Sequence, residues 1–566
     1  MANGMGSLYI GASGLQSSQN ALNTTANNLA NVDTKGYVRQ QVLFADRNYA
    51  TFDNTAAISK QQSGLGVSIA DVVHTRDLFL DKYYRTEAGR QAYYEICYEA
   101  VSEIETLFQE MEGKAFQETL NDLWVSFQEL AKAPESSVNQ NLVVQKADLF
   151  LSRAAAVYQN LKDYQLNLNI QISDATTQIN DLGKKIQELN LQIQKIEAGG
   201  VETAMNLRDE RDNALDELGK LAKIEYKEMP DGIVKVKLEG VSFIDEINVF
   251  QLDLKQDMET GFMTPYWPHL SDKSINQYVE VFDFSVEIGS EFDTDIGKLK
   301  ALVISRGDSV ANFTDILGLT PEQYNQTTGK HSILNAQAEL DQLVHGVVTA
   351  INDILSPTTS TSFTGADGTV YTNVRVWDEA NAALGEGLNP PGQELFSRIG
   401  CERYTEVLAN DGTTYYVYNE ESATDIDRQY TIESLVVNPA LIEQENLLPH
   451  LKANGEVAMD LGAQLAAVWE QDLLRLNPND TDMCSFTEYY QRMIDDMATT
   501  GSVYSTVATT LSGSVGSIES SRQQVIGVSS DEELTNMIKY QNAYNAASRY
   551  INVVSEMLEH LITQLG

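Results

Sequence analysis

Apolar residues near the start of the chain follow a seven-residue repeat. Leu8, Leu15, Leu22 and Leu29 recur at every seventh position, and Ala12, Gln19 and Ala26 fill the alternating positions. A helix with this repeat keeps one apolar seam along one side, and such a seam is buried best against another helix. The repeat therefore predicts an N-terminal helix that packs against a partner helix.

The end of the chain carries a second repeat of the same kind. From Met537 the seam steps alternately by four and three residues, through Gln541, Tyr544, Ser548, Ile551, Ser555, Leu558, Ile562 and Leu565. Two interaction helices at opposite ends predict a paired terminal coiled coil, although each helix could instead pack on the body of its own domain. The polar seam positions fit a crowded assembly better than a self-sufficient dry zipper.

A much longer seam runs through the first half of the chain. It begins at Val144 and ends near Ile196, where Gly199-Gly200 follows, and a second seam over 204–221 is expected to fold back antiparallel. Arg208 and Asp212, four residues apart in this second helix, are expected to pair on its surface. The seam includes these positions: Ala147, Leu151, Ala154, Tyr158, Leu161, Gln165, Leu168, Ile172, Ala175, Ile179, Leu182, Ile186, Leu189 and Ile193.

Two stretches with a period of two interrupt the helical pattern. The first follows Asp231-Gly232 and continues to Phe284, and the second carries the turn signals Asp367-Gly368 and Asp411-Gly412 beside tyrosine-rich strands. Helical pattern returns between them at 334–355 and again after residue 455. The strands therefore resemble an outer domain that is inserted into a helical one.

These patterns predict a multidomain α+β protein with paired N- and C-terminal coiled-coil helices, a bundle of long helices and an inserted, mostly β outer domain. A chain of 566 residues exceeds what one hydrophobic core usually holds. The predicted terminal domain comprises residues 1–48 and 516–566. The helical domain comprises 49–228, 296–356 and 446–515, and the β-rich outer domain comprises 229–295 and 357–445.

Charge is distributed unevenly along the chain. The net charge is -42 and the sequence pI is about 4.4, so binding to nucleic acid or to anionic membranes is disfavoured. Residues 1–34 carry only Asp33, and residues 519–566 are also close to neutral. Near-neutral ends with an acidic middle suit a protein whose termini crowd together while its outer parts face water.

The sequence contains few candidates for chemistry. Cys97, Cys401 and Cys484 are far apart and show no metal or redox spacing. Asn477, Asn479, Thr481 and Glu488 occupy positions of a calcium-binding loop, but Asp482 stands where that loop needs glycine. Motifs of zinc proteases, P-loop proteins and serine hydrolases are absent, so we expect no enzyme activity, metal or cofactor.

Targeting signals of the usual kind are also absent from the sequence. No basic residue precedes Lys35, and no apolar run is long enough to span a bilayer. A cleaved secretory signal peptide and membrane insertion are therefore not expected.

Two runs at opposite ends resemble a known family. Residues 26–39 read ANNLANVDTKGYVR, and residues 530–534 and 540–547 read SDEEL and YQNAYNAA. The first run is similar to the N-terminal signature of bacterial flagellar rod, hook and hook-associated proteins, and the second to the C-terminal signature of that family. In the family the terminal helices pair and pack against neighbouring subunits along the axis of the flagellum.

The resemblance implies an assembly interface at the two ends. It would comprise Leu8, Leu15, Leu22, Leu29, Asn27, Asn28, Asn31, Gly36, Tyr37, Leu534, Gln541, Tyr544, Ile551, Leu558 and Leu565. The implied partners are further copies of the chain in a ring, the hook protein, the second hook-filament junction protein and an export chaperone for the C-terminal helix. The implied location is the extracellular flagellum, reached by type III export without cleavage.

Within the family, the runs IQELNLQI at 186–193 and NLRDERD at 206–212 resemble junction-forming hook-associated members more than hook or rod proteins. The expected function is therefore a structural one, at the junction between hook and filament. Two alternatives stay open on the sequence: another axial protein, such as the hook protein or the second junction protein, and an adhesin that binds through its outer domain.

Overall fold

A computed structural model describes residues 2–34, 36–47, 50–51, 62–74, 76–109, 115–199, 203–422 and 424–565. Side chains are described for all of these except 2–5, 50–51, 62–63, 71, 74, 109 and 565. The fold is mostly helical and carries several small antiparallel sheets.

The helices include four that exceed thirty residues in length. Their bounds are α1 Ala2–Ala30, α2 Leu78–Gln109, α3 Phe116–Lys132, α4 Ser137–Glu197, α5 Met205–Leu221, α6 Lys298–Arg306, α7 Pro321–Gln326, α8 Ser332–Leu355, α9 Pro439–Glu443, α10 Leu461–Ala467, α11 Phe486–Ile526 and α12 Ser530–Leu565.

The strands fall into three groups along the chain. Near the N-terminus lie β1 Gln40–Asp46, β2 Ala50–Thr51, β3 Gln62–Ser63 and β4 Val67–His74. After α5 come β5 Ile224–Glu228, β6 Val234–Leu238, β7 Val241–Ile244, β8 Asp253–Gln256 and β9 Met263–Tyr266. After α8 come β10 Thr358–Thr364, β11 Val370–Trp377, β12 Phe396–Arg398, β13 Tyr404–Leu408, β14 Thr414–Tyr418 and β15 Leu435–Val437.

The strand order shows how these groups are separated. The sheets are β1-β4, β2-β3, β5-β6-β7, β8-β9, β10-β11-β14-β13 and β12-β15. Among the described residues, no strand of the second group shares a sheet with a strand of the third group. The two β regions are therefore joined to the molecule independently, through the helices that flank them.

The long seam is confirmed in α4. Its predicted positions from Val144 to Ile193 are buried, apart from the half-buried Leu182, and Ile196 at the end is 40% exposed. The second helix of the hairpin, α5, packs against α4 as expected. The predicted pair of Arg208 and Asp212 is wrong, because Arg208 pairs with Glu197 across the hairpin at 2.7 Å and Asp212 pairs with arginines near α2.

Two amide side chains on α4, the buried Asn190 and the half-buried Asn180, hold the first β region in place. Asn190 accepts from the backbone N–H of Val234 at 3.1 Å and donates to its carbonyl at 2.9 Å. Asn180 makes the same pair of hydrogen bonds with Leu252, each of 2.9 Å. Each amide thus satisfies both backbone groups of one residue, which fixes the strands along the helix.

Side chains of α8 likewise bind the backbone of the loops around the second β region. Asn352 accepts from the backbone N–H groups of Leu395 and Phe396, each at 3.1 Å, and donates to the Phe396 carbonyl at 2.7 Å. Asp341 accepts from Ile432 N at 2.7 Å and from Phe313 N at 3.0 Å. Because α8 is buried along most of its length, water does not reach the backbone groups of the loops that pack against it. The side chains of Asn352 and Asp341 supply their hydrogen bonds instead.

One buried acid on α8 predicts a pH dependence of stability. The Glu339 side chain is fully buried and accepts a hydrogen bond from Asn477 Nδ2 at 3.0 Å. Burial raises the pKa of Glu339 from about 4.5 to about 8. The folded state therefore holds this proton more tightly than the unfolded state, and stability is lost as the pH rises from about 4.5 through about 8.

Glu339→Gln should remove this loss, because an amide has no proton to release. We expect the variant to melt at a higher temperature than the parent protein at pH 8.5 and at a similar temperature at pH 5, measured by circular dichroism. Glu322→Gln, on an exposed position of α7, is the control and should follow the parent at both values. An equal difference in melting temperature between Glu339→Gln and the parent protein at both pH values would contradict the raised pKa of Glu339.

Candidate assembly interface

The two chain ends lie side by side, with α1 packed along α12. The face of α1 that is turned to α12 carries small residues at alternating steps of three and four. A Cβ built on Gly11 would lie 2.6 Å from Ile551 Cγ1, and one on Gly14 would lie 3.6 Å from Ala547 Cβ. The residues of this face are Gly11, Gly14, Ser18, Ala21, Thr25 and Asn28. The short side chains allow the two helix backbones to approach closely.

The predicted leucine seam does not lie at the centre of this contact. Leu8, Leu15, Leu22 and Leu29 are each half-buried, and Ala12, Gln19 and Ala26 are exposed. The prediction that the leucine side of α1 faces α12 was therefore wrong. The side that does face α12 is rotated about the helix axis relative to the leucines. Leucine dominates any count of hydrophobic positions, whereas the close approach of two backbones selects glycine, serine and alanine instead.

On α12 the predicted seam is half correct. Tyr544, Ile551 and Leu558 are turned toward α1, while Gln541 is exposed and its place is taken by Tyr540. The protected side of α12 consists of Met537, Tyr540, Tyr544, Ala547, Ile551, Val554 and Leu558. Leu534 is 46% exposed, and the side chain of Leu565 lies outside the described residues. Of the predicted polar interruptions, Gln541 and Ser555 point away from the pair and Ser548 is half-buried.

A third side of α1 rests on the small β1-β4 sheet. Ser13 Oγ accepts from the backbone N–H of Val67, and Ser17 Oγ donates to the Val67 carbonyl, both at 3.3 Å. Phe44 of β1 in turn meets Tyr540 of α12, with ring centroids 6.0 Å apart. Helix, sheet and C-terminal helix thus form one terminal unit.

The amide of Asn28 is the centre of this unit. Its Oδ1 accepts from the Tyr37 hydroxyl at 2.9 Å and from Gln40 N at 3.1 Å. Its Nδ2 donates to the Gln40 carbonyl at 2.9 Å and to Glu533 Oε2 at 3.2 Å. With 1% of the residue exposed, Asn28 joins α1, the following loop, β1 and α12 at a single buried point.

Charged groups extend this junction onto α12. Arg39 donates from Nε to Glu533 at 2.9 Å and from Nη2 to Glu532 at 2.8 Å. The Glu533 residue is 2% exposed, so this ion pair is protected from solvent. The backbone of Arg39 also donates to the carbonyl of Ile526 at 2.9 Å. The N-terminal loop is therefore bound to both sides of the connection between α11 and α12.

The remaining predicted residues shape the loop. Asn31 Nδ2 donates to the Asn27 carbonyl at 2.9 Å, which closes the end of α1. Gly36 has a φ of 79°, and a side chain there would also collide with Asn213 of α5. Burial, together with the charges of Asp209 and Glu533, raises the pKa of Tyr37 to about 12, so Tyr37 remains a hydrogen-bond donor at neutral pH.

Sequence reasoning missed an ion-pair network where the terminal unit joins the helical body. Arg522 of α11 donates to Asp81 of α2 at 2.9 Å and to Asp216 of α5 at 2.8 Å. Arg85 donates to Asp216 at 2.6 Å and to Asp212 at 3.2 Å. No local sequence motif predicts such a network, because its members come from three distant segments of the chain.

The residues of the possible calcium-binding loop form ion pairs and hydrogen bonds with the protein itself. Arg492 pairs with Asp480 at 3.0 Å and with Glu488 at 2.8 Å, while Asn477 binds Glu339. Arg492 thus pairs with Glu488, which is the carboxylate among the four candidate ligands. Within the described residues, no group of three or more His, Cys, Asp or Glu side chains could hold a metal ion. No helix in the same part of the chain is long and apolar enough to cross a membrane.

Comparison with protein families finds three matches along the chain. Residues 101–367 match the helical domain of flagellar hook-associated protein FlgK. Residues 8–37 match the flagella basal body rod protein family, and residues 520–565 match the C-terminal family of the flagellar basal body rod FlgEFG proteins. The two end matches cover the helices and the loop that meet at Asn28.

Curated relatives match over nearly the whole length. Flagellar hook-associated protein 1 of Bacillus subtilis is 24% identical over 98% of this chain and 96% of its own length. The same protein of Salmonella typhimurium is 23% identical over 97% of this chain and 98% of its own length. The hook protein FlgE of Borreliella burgdorferi is 33% identical over a shorter stretch, 15% of this chain and 21% of its own length.

A solved structure has a related fold. The flagellar hook junction protein FlgK from Burkholderia pseudomallei aligns with a TM-score of 0.51 and 12% identity. The alignment covers 78% of this chain and all of the other one. At 12% identity, this match shows a related fold alone.

The geometry at Asn28 predicts a local loss of structure on substitution. Asn28→Ala leaves the Gln40 backbone groups and Glu533 without this partner, at a cost of ~1–3 kcal/mol for each buried group that stays unpaired. Hydrogen exchange of the Gln40 amide should become at least tenfold faster, read by mass spectrometry or NMR. Asn27→Ala is the control, because Asn27 is exposed and its side chain bonds to Tyr37 and Asn31 rather than to Gln40. Equal protection of Gln40 in both variants would contradict the central role of Asn28.

Proposed function

We propose that this chain, which belongs to the family of flagellar hook-associated protein 1, is a structural subunit of the junction between the hook and the filament of the bacterial flagellum. The matches to hook-associated protein 1 over 97% and 98% of the chain support this function. The rod and hook family matches at both ends support an axial position. The family is structural, and we infer that this chain likewise acts through subunit contacts rather than catalysis.

The observation that carries the proposal is the apolar outer surface of the terminal unit. On α12 several large apolar side chains point away from α1, and α1 itself contains no charged residue. The exposed apolar residues of α12 include Leu534 46%, Ile538 60%, Val553 48%, Met557 61%, Leu561 54% and Ile562 72%. Large exposed apolar side chains in such number favour burial, which supports packing of α12, together with the uncharged α1, against neighbouring copies.

We further propose that α1 and α12 act as a coiled coil at the axis and that the predicted interface residues lie there. Half-burial of Leu8, Leu15, Leu22 and Leu29 supports this, because they border the α1-α12 contact and remain accessible to a neighbour. Exposed Gln541 suits the same surface, where a polar residue can set the register of packing.

The predicted domain arrangement is part of the proposal. Residues 1–48 with 516–566 would form the inner part, and 229–295 with 357–445 the outer part. The helical body would lie between them. The concentration of negative charge in the middle of the chain supports an outer position for that part, where it faces water. Helix α11 crosses the boundary at residue 516 without a break, so the inner part would be joined rigidly to the body.

The proposed partners follow from the axial position. Copies of this chain would form a ring, with hook protein on one side and the second hook-filament junction protein on the other. Local identity to the hook protein of Borreliella burgdorferi supports a shared mode of packing with the hook. Export by the type III route without a cleaved signal peptide, and an export chaperone for α12, belong to the same proposal.

The tyrosines of the outer region have a structural role that needs no ligand. Phe363 stacks on Tyr371 with centroids 4.8 Å apart and on Tyr415 with centroids 4.2 Å apart. The three rings cover one another across the β10-β11-β14 strands and stabilise that sheet. Stacking of this kind gives Tyr371 and Tyr415 a role within the sheet itself.

Substitution of Leu22 tests the proposed assembly surface. Leu22→Asp places a charge where a neighbouring copy would exclude water, and an unpaired buried charge costs several kcal/mol. We expect normal melting of the helical body but at least tenfold less protein at the hook tip, counted by immunogold labelling of flagella from a motile bacterium. Filament subunits should then be lost to the medium.

Asn167→Asp adds the same charge at an exposed position of α4 and should leave hook-tip labelling unchanged. The amount of secreted protein must be measured for both variants, so that a failure of export is not mistaken for a failure of assembly. Normal labelling with normal filaments in Leu22→Asp would refute the proposed surface.

A further inference from the structure

The helical body presents two unusual surfaces on the antiparallel pair formed by α2 and α11. The start of α2 lies beside the end of α11, where Asp81 binds Arg522 at 2.9 Å. The end of α2 lies beside the start of α11, where the rings of Phe108 and Tyr490 are 6.4 Å apart. The Asp81-Arg522 end of the pair adjoins the terminal unit, because α11 leads directly into α12.

The first surface is an exposed aromatic group at the start of α2. Leu78 is 70% exposed, Phe79 is 73% exposed and Tyr83 is 46% exposed. The rings of Phe79 and Tyr83 are nearly parallel, with centroids 6.3 Å apart. Large apolar side chains that cluster on a surface mark contact sites, and aromatic residues supply much of the binding energy of such sites. We call Leu78, Phe79 and Tyr83 the aromatic knob.

The second surface is the outer side of α11 over residues 497–518. This stretch contains no charged residue, in a chain of which 21% is charged. Its exposed residues include Ser502, Val503, Thr506, Thr509, Thr510, Gly513, Gly516 and Ser517. We call these residues the uncharged face. Charged residues are depleted at the centres of protein interfaces, which is what this side of α11 resembles.

Two glycines on this face have no explanation within the chain itself. A Cβ built on Gly513 or Gly516 would meet nothing within 4 Å. Neither glycine has the positive φ that would require it, and glycine weakens a helix interior. A surface that approaches the α11 backbone from outside the molecule would account for both.

We propose that the aromatic knob of one copy packs onto the uncharged face of the next copy, around Gly513 and Gly516. The inference rests on the proposed function, since it names the contact between bodies in the ring. Copies that each carry a net charge of -42 repel one another, which favours contact through surfaces that carry little charge. The open space above Gly513 and Gly516, which we call the hollow, suits a projecting ring pair in shape, and one chain carries both.

The geometry makes this contact heterologous. The knob lies at the level of Arg522, whereas Tyr504, beyond the glycines, lies at the level of Tyr94, with ring centroids 6.1 Å apart. Knob and face are thus displaced along the helix pair, and joining them staggers one copy against the next. Repetition of a contact between unlike surfaces builds a ring or a helix, as an axial assembly requires.

Cysteine cross-linking in isolated flagella tests the contact directly. We would combine Phe79→Cys with Thr509→Cys in the full chain, on a background in which the half-buried Cys401 is serine. Oxidation should link copies of the 62.7 kDa chain into dimers and higher multimers. Phe79→Cys combined with Thr177→Cys, an exposed position of α4, should give less than a tenth of that product.

Absence of cross-links in flagella that carry the protein at the hook tip would overturn the inference, as would cross-links to a different protein alone. Absence of the protein from the hook tip would instead contradict the proposed function, and immunogold labelling of the same sample separates the two results.

A second variant tests the hollow without a chemical label. Gly513→Leu meets open space in the free chain, so the melting temperature should be unchanged or higher. At the hook tip, labelling should fall at least tenfold, because leucine fills the hollow. Gly199→Leu, at an open glycine far from the face, is the control and should label normally. Normal labelling of Gly513→Leu would overturn the inference.

Discussion

The meeting of the two chain ends depends on the buried amide of Asn28. Its four hydrogen bonds connect α1, the loop after it, the first strand and Glu533 of α12, which lies 505 positions along the chain. An amide side chain is suited to this place because it offers both a donor and an acceptor without a charge. A buried carboxylate would lack the donor for Gln40 and Glu533, and an apolar residue would lack both.

The same solution recurs in the body of the molecule. Asn180 and Asn190 on α4, and Asn352 on α8, each bind the backbone of a segment that lies across a buried helix. Loops and strands of the two β regions are thereby attached to the helices by pairs of hydrogen bonds. Ion pairs fulfil the corresponding role at the junction of body and terminal unit, where Arg522 binds acids of α2 and α5.

The sequence predicted the long helix α4 well, because its heptad positions are filled by large apolar residues that have one possible burial side. It predicted the existence of α1 and α12, but the wrong side of α1. There the close approach at Gly11 and Gly14 selects small residues, and hydrophobicity gives no signal for them. The Arg522 network and the attachments made by α8 were also beyond reach, since they join segments that lie far apart in the sequence, from 28 residues between Phe313 and Asp341 to 441 residues between Asp81 and Arg522. The prediction for Arg208 and Asp212 failed in the opposite way. Their spacing in the helix suggested an ion pair between them, but in the fold each pairs with a residue of another segment.

The proposed function places α1 and α12 inside an axial assembly and the acidic middle of the chain outside it. Electron cryomicroscopy of flagella, at a resolution that separates helices, tests this claim most directly. We predict a ring of copies between hook and filament, with α1 and α12 nearest the axis and the β10–β15 region facing solvent. Terminal helices on the outer surface, or copies found away from the hook-filament junction, would contradict it.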